Sequence, residues 1–91
     1  MSQVRAEVRI TGRVQGVWFR QSTKQMADKY GVNGWVRNLP DGSVTAVIEG
    51  EQRNVQALVD WCNYGPELAR VEDLQVEWKS ATGEFSSFRV G

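Results

Sequence analysis

The 91-residue sequence contains no histidine, one cysteine and no net charge, with eleven basic residues set against eleven acidic ones. Each shortage removes a class of function. Without histidine there is no phosphohistidine intermediate and no Ser-His nucleophile. A lone Cys62 cannot close an internal disulfide and brings no second thiolate to a metal site, so a reducing compartment, the cytoplasm, is expected. A zero charge balance gives no electrostatic argument for nucleic acid or an anionic membrane as partner. No apolar run approaches the length of a membrane span, and the polar, charged N-terminus is unlike a signal peptide. Repeats, low-complexity tracts and linker-like stretches are missing too, so residues 1–91 are read as one domain and a monomer is the expected state.

What is present is patterned. Val4, Ala6, Val8, Ile10, Gly12 and Val14 alternate with Arg5, Glu7, Arg9, Thr11 and Arg13, the period of a strand with one buried face. Arg5, Arg9 and Arg13 then share the other face, which reads as solvated. From Phe19 the period lengthens: Phe19, Thr23, Met26, Ala27 and Tyr30 fall on one side of a helix that Gly31 stops. Two short runs flank Pro40-Asp41-Gly42, a tight-turn signal, and pair as a hairpin. Val55, Leu58, Val59 and Cys62 mark a second amphipathic helix, ended by Gly65-Pro66. Leu74, Val76 and Trp78 alternate in a fourth strand, and Phe88-Arg89-Val90 offers a fifth at the edge. The order predicts an α+β, ferredoxin-like βαββαβ sandwich, an antiparallel sheet with both helices on one face.

The chemistry concentrates where the first strand hands over to the first helix, in "GRVQGVWFRQ" from Gly12 to Gln21. A glycine-bearing turn that opens a helix aims successive main-chain N–H groups into one concavity, and the helix dipole adds positive charge there. Gly16 leaves the main chain open to a ligand, and Arg20 adds a planar cationic fork. Such a cradle suits a phosphate. The same residues also fit a plain turn with glycines at positive φ and a solvated arginine, and Asn38 ahead of Pro40-Asp41-Gly42 fits a turn former. Cys62 reads as a small core residue, and Ser22 and Thr23 lack the adjacent base a nucleophile needs.

"ITGRVQGVWFR" (10–20) resembles the first signature of the acylphosphatase family, and "GWVRNLPDGSVTAVIEG" (34–50) its second; "WCNYGPELARV" (61–71) is similar to the family's stretch closing the second helix. The resemblance implies hydrolysis of acyl phosphates to a carboxylate and inorganic phosphate without metal or cofactor. It implies a small-molecule acyl phosphate as substrate, and phosphate or another oxyanion as product or inhibitor. On the matching positions it implies Arg20 as the phosphate-binding arginine and Asn38 as the residue positioning the attacking water. The turn of Gln15, Gly16, Val17, Trp18 and Phe19 would be the phosphate-binding loop, acting through its main chain. Trp18 stands where the signature leaves the residue open and could wall the acyl group. Family members often end in an aromatic or basic residue that helps fix the cradle, which Gly91 cannot supply from a side chain. Two other readings remain. Similar domains occur within larger carbamoyl-transferring maturation proteins, but there zinc-binding cysteine pairs follow. The ferredoxin-like plan also serves phosphate- or RNA-binding modules without catalytic activity, against which stand the zero net charge and the lack of an aromatic Gly-Phe-Gly-Phe type strand.

Overall fold

The computed structural model describes residues 2–91. Strand β1 (Gln3–Arg13) buries Ala6, Val8 and Ile10 and turns Arg5, Glu7 and Arg9 the other way. Helix α1 (Phe19–Tyr30) buries Phe19, Thr23 and Ala27 and stops at left-handed Gly31. Buried Thr23 is satisfied locally, its hydroxyl donating to the Phe19 carbonyl at 2.7 Å. Strands β2 (Asn33–Asn38) and β3 (Val44–Glu51) form the hairpin. In its turn the Asp41 carboxylate accepts from the hydroxyl and N–H of Ser43 at 2.6 and 2.9 Å. Those bonds, then that from Arg9 at 2.6 Å, hold its pKa well below the usual carboxylate range. Helix α2 (Gln52–Cys62) buries Val55, Leu58, Val59 and Cys62, and burial pushes the Cys62 thiol up to about 12. Strands β4 (Arg70–Ser80) and β5 (Phe88–Val90) follow.

The sheet order is β4-β1-β3-β2-β5, so β3 is central, with β1 and β2 on either side of it. The fold is ferredoxin-like α+β, with the helices over the apolar face built by Ala6, Val8, Ile10, Val36, Val44, Ala46 and Ile48. Two expectations change in detail. The sheet is mixed rather than wholly antiparallel, because the chain returns along β2 and adds β5 parallel to it. In β4, Leu74 is half-buried but Val76 and Trp78 stay exposed, since the strand lies at the sheet edge. Between Thr11 and Gly12 the β1–β4 register shifts by one residue. Gly12 sits there at φ 123°, where a side chain would strike the Arg70 carbonyl. The bulge bends the end of β1 into the loop that follows.

The Arg5 face is not simply solvated. Arg5 bonds the carboxylates of Glu7 (2.9 Å), Glu49 (3.1 Å) and Glu84 (2.7 Å), with its guanidinium 5.6 Å from the Phe85 ring centre. Burial works against the charged guanidinium, but the three carboxylates outweigh it and raise its pKa above the ordinary value. Glu49, itself buried, also accepts the N–H groups of Thr82 and Gly83 at 3.0 and 3.1 Å and the Thr82 hydroxyl at 3.0 Å. Burial pushes the Glu49 pKa up, and these bonds bring it below the ordinary carboxylate value. The knot fastens the β4–β5 connection to the sheet and so feeds the chain into β5. No helix among the described residues is long and apolar enough to cross a membrane.

Candidate active site

The loop from Val14 to Trp18 is anchored from below. Val14, Val17 and Phe19 are buried, while Gly16 and Trp18 between them are exposed. Alternate anchoring presses the main chain against the core and leaves its outer side open to solvent. Gly16 has φ 74°, and no protein atom lies within 4 Å of where its Cβ would stand. That side of the main chain is therefore open. Trp18, at φ 67° and ψ 21°, is the one non-glycine residue with positive φ among the described residues. That left-handed conformation costs a bulky L-residue roughly 1–2 kcal/mol.

Trp18 is also the N-cap of α1, where no side chain caps the helix and no acidic residue occupies the first turn. The helix's first main-chain bond runs from the Ser22 N–H to the Trp18 carbonyl at 3.0 Å. The N–H groups ahead of it point out of the helix end without an intrahelical acceptor. An anion placed there would meet those donors and the positive end of the dipole.

A cleft of about 300 Å³ opens at this point, lined by Val14, Gly16, Trp18, Phe19, Arg20, Gln21 and Asn38. Arg20 is the only ionisable side chain in that lining, so a bound anion meets no carboxylate. Its Nη1 donates to the main-chain oxygen of Gly91 at 2.6 Å. The Gly91 N–H in turn donates to the Val36 carbonyl at 2.7 Å, extending the β2–β5 pairing by one residue. Thus the lack of a side chain at residue 91 does not leave Arg20 unsupported: the main chain does the holding. Asn38 comes from the end of β2, and its Oδ1 is buried without any hydrogen-bond partner. Leaving such an acceptor unmet costs about 1–3 kcal/mol, a cost that a donor in the cleft would remove.

Of the residues singled out in the sequence, Gly16, Trp18, Phe19, Arg20 and Asn38 line one cleft. Gln15 and Val17 do not. The Val17 side chain belongs to the core. The Gln15 amide turns away and donates from Nε2 to the carbonyls of Leu39 (2.8 Å) and Ser43 (2.9 Å), which ties the loop to the hairpin beside Asn38. Val14, Gln21 and Gly91 belong to the site's surroundings and were not among the expected residues. Gln21 adjoins Arg20 in the first turn of α1 and could have been found by helical position. The Gly91 contact depends on a pairing 71 residues away and carries no local signal. Among the described residues no group of three or more His, Cys, Asp or Glu side chains could hold a metal ion.

The acylphosphatase family model matches residues 6–90. Curated relatives named acylphosphatase include one from Thermococcus kodakarensis, 57% identical over 90 residues and covering 99% of this chain and 98% of that protein. Another, from Pelotomaculum thermopropionicum, is 50% identical over 90 residues with the same coverage. The crystal structure of acylphosphatase from Bacillus subtilis superposes with a TM-score of 0.93 at 31% identity, over 97% of this chain and 98% of that one.

Proposed function

The chain belongs to the acylphosphatase family, enzymes that hydrolyse acyl phosphates, and we propose how its own residues run that reaction. The phosphoryl group sits in the loop of residues 15–20, held by main-chain N–H groups and by the Arg20 guanidinium. Asn38 Oδ1 accepts a hydrogen bond from a water molecule and aims it at phosphorus. The water oxygen forms the new P–O bond as the bond from phosphorus to the acyl oxygen breaks, and the electron pair leaves on a carboxylate. Such a leaving group is stable as an anion at neutral pH and needs no general acid. The transition state is loose, with its charge on the equatorial oxygens, where fixed N–H donors and a guanidinium act most strongly. No other ionisable side chain lines the cleft, so the water's proton passes to a phosphate oxygen.

The observation that carries this reading is that Asn38, whose Oδ1 lacks a hydrogen-bond partner, lines the same cleft as Arg20. The same reading has the protein working as a monomer in the cytoplasm, where its only cysteine, buried and unpaired, stays a thiol. Inorganic phosphate, the product, competes with substrate for the cradle. The test is hydrolysis of benzoyl phosphate with chelator present, for the native protein, Arg20→Ala and Asn38→Ala. Loss of both phosphate affinity and rate in Arg20→Ala, with loss mainly of kcat in Asn38→Ala, is the expected pattern. A folded native protein that binds phosphate but turns over no acyl phosphate would instead be a binding module.

A further inference from the structure

We propose that Trp18 is the specificity-determining residue of this cleft, an aromatic wall that selects acyl phosphates carrying a planar aromatic acyl group. The inference rests on the reaction proposed above and adds the class of substrate. It begins from two unfavourable features that fall on one residue. Trp18 is held in the left-handed region, which glycine or asparagine would occupy with far less strain, and its large apolar side chain is 70% exposed. The left-handed main chain serves the turn into α1, but the exposed indole packs against nothing in the fold.

Two of the other three tryptophans show what an employed indole looks like here: Trp61 packs against Phe19 with ring centres 5.7 Å apart, and Trp35 lies 4.0 Å beneath the Arg37 guanidinium, while Trp78 is exposed on the edge strand β4. Among the described residues Trp18 has no ring partner, no cation above it and no acceptor for its indole N–H. Yet it lines the same cleft as Arg20 and Asn38. Strain and unpacked apolar surface maintained together at a ligand cleft point to a contact made by the ligand.

The shape of the cleft agrees. Arg20, Asn38 and the loop N–H groups make part of its lining polar, whereas Trp18 supplies its exposed apolar surface. At about 300 Å³ it lies at the lower end of small-molecule sites and leaves room past the phosphoryl group for a compact substituent. A planar ring laid against the indole gains offset stacking, which a methyl group cannot. That contact is the same before and during P–O cleavage. It therefore lowers KM for aromatic substrates and leaves kcat nearly alone.

The test compares benzoyl phosphate with acetyl phosphate in the native protein, Trp18→Ala and Trp18→Phe, with the Ki of inorganic phosphate measured for each. Taking the benzoyl-to-acetyl ratio of kcat/KM cancels the intrinsic reactivity of the two anhydrides within each protein. In Trp18→Ala the ratio is expected to fall about tenfold, through KM for benzoyl phosphate, while phosphate Ki moves far less; Trp18→Phe restores most of it. An unchanged ratio overturns the assignment. So does an equal loss on both substrates that tracks a loss of phosphate affinity, because Trp18 would then only shape the loop. Calorimetric binding of the non-hydrolysable benzoylphosphonate and acetylphosphonate separates this inference from the reaction it rests on. If the native protein turns over neither substrate yet loses its preference for benzoylphosphonate in Trp18→Ala, the wall stands and the hydrolytic reading falls. If it hydrolyses both substrates while binding the two phosphonates alike, the wall falls and hydrolysis stands.

Discussion

Arg5, near the start of β1, meets three carboxylates, from Glu7, Glu49 and Glu84; Arg20, just past the strand's far end, meets one main-chain oxygen, that of Gly91. A guanidinium offers five N–H donors in a fixed fork. Around Arg5 three of them go to protein carboxylates, and the result is a fastening. Around Arg20 a single contact fixes the side chain's direction and leaves the rest of the fork facing a cleft without carboxylates. Both residues are arginines beside one strand, in a protein of zero net charge. Their roles are separated by what surrounds them, and a charge count over the sequence cannot register that difference.

The contrast breaks if the two arginines fail differently from what their surroundings require. Arg20→Ala should lower kcat/KM by on the order of 10³-fold, as expected for removing a charged transition-state donor, while Tm shifts by only a few degrees. Arg5→Ala should do the reverse. It strips Glu49 of its cation and loosens the β4–β5 connection, a loss of roughly 2–3 kcal/mol that appears as a Tm lower by roughly 10–20 °C, with residual activity at low temperature. An Arg5→Ala protein that melts like the native one would reduce the knot to surface decoration. A smaller effect sharpens the picture at the cradle. Gln15→Ala removes the tie between loop and hairpin, so kcat should fall about tenfold as Asn38 loses its placement, with phosphate Ki changing less.

The weakest expected effect is of pH. The folded-state pKa values of Glu7, Asp41 and Glu49 all lie below their ordinary values. Their stabilising contribution is thus fully present above the unfolded carboxylate range, about pH 4–4.5, and is lost as pH falls through the folded values. Tm should stay level from pH 6 to 8 and decline on acidification below about 4.5, with a shallower decline in Glu49→Gln. The pH–rate profile should follow the ionisation of the substrate phosphate and show no enzyme carboxylate limb.

Most of the frame was legible in the residues because it is written in local periods. The alternation through Val8 and Ile10, the stop at Gly31, the turn at Pro40-Asp41-Gly42 and the stripe ending at Cys62 all appear where they were read. The candidates Arg20 and Asn38 were picked out through the family signatures, and the structure brings them to one cleft. What escaped is non-local. Alternation in Leu74, Val76 and Trp78 announces a strand, but burial depends on whether a helix lies above it, and β4 is an edge. Arg5 meets Glu84 only after the chain has crossed the whole sheet. The side chain of Gln15 is used for tethering, which a motif read as a main-chain cradle does not disclose.

The position of β1 has a kinetic consequence. It pairs with β3 on one side, Val4 opposite Gly50, and with β4 on the other, Val4 opposite Ser80. Closing loops of that length precedes the reward for pairing, so the strand that delivers the cradle is secured only by contacts remote in sequence. A peptide spanning residues 10–20 would carry the whole first signature and none of the cleft's geometry. During refolding, activity should return with the global transition rather than ahead of it, because the segment with the chemistry has no stability of its own.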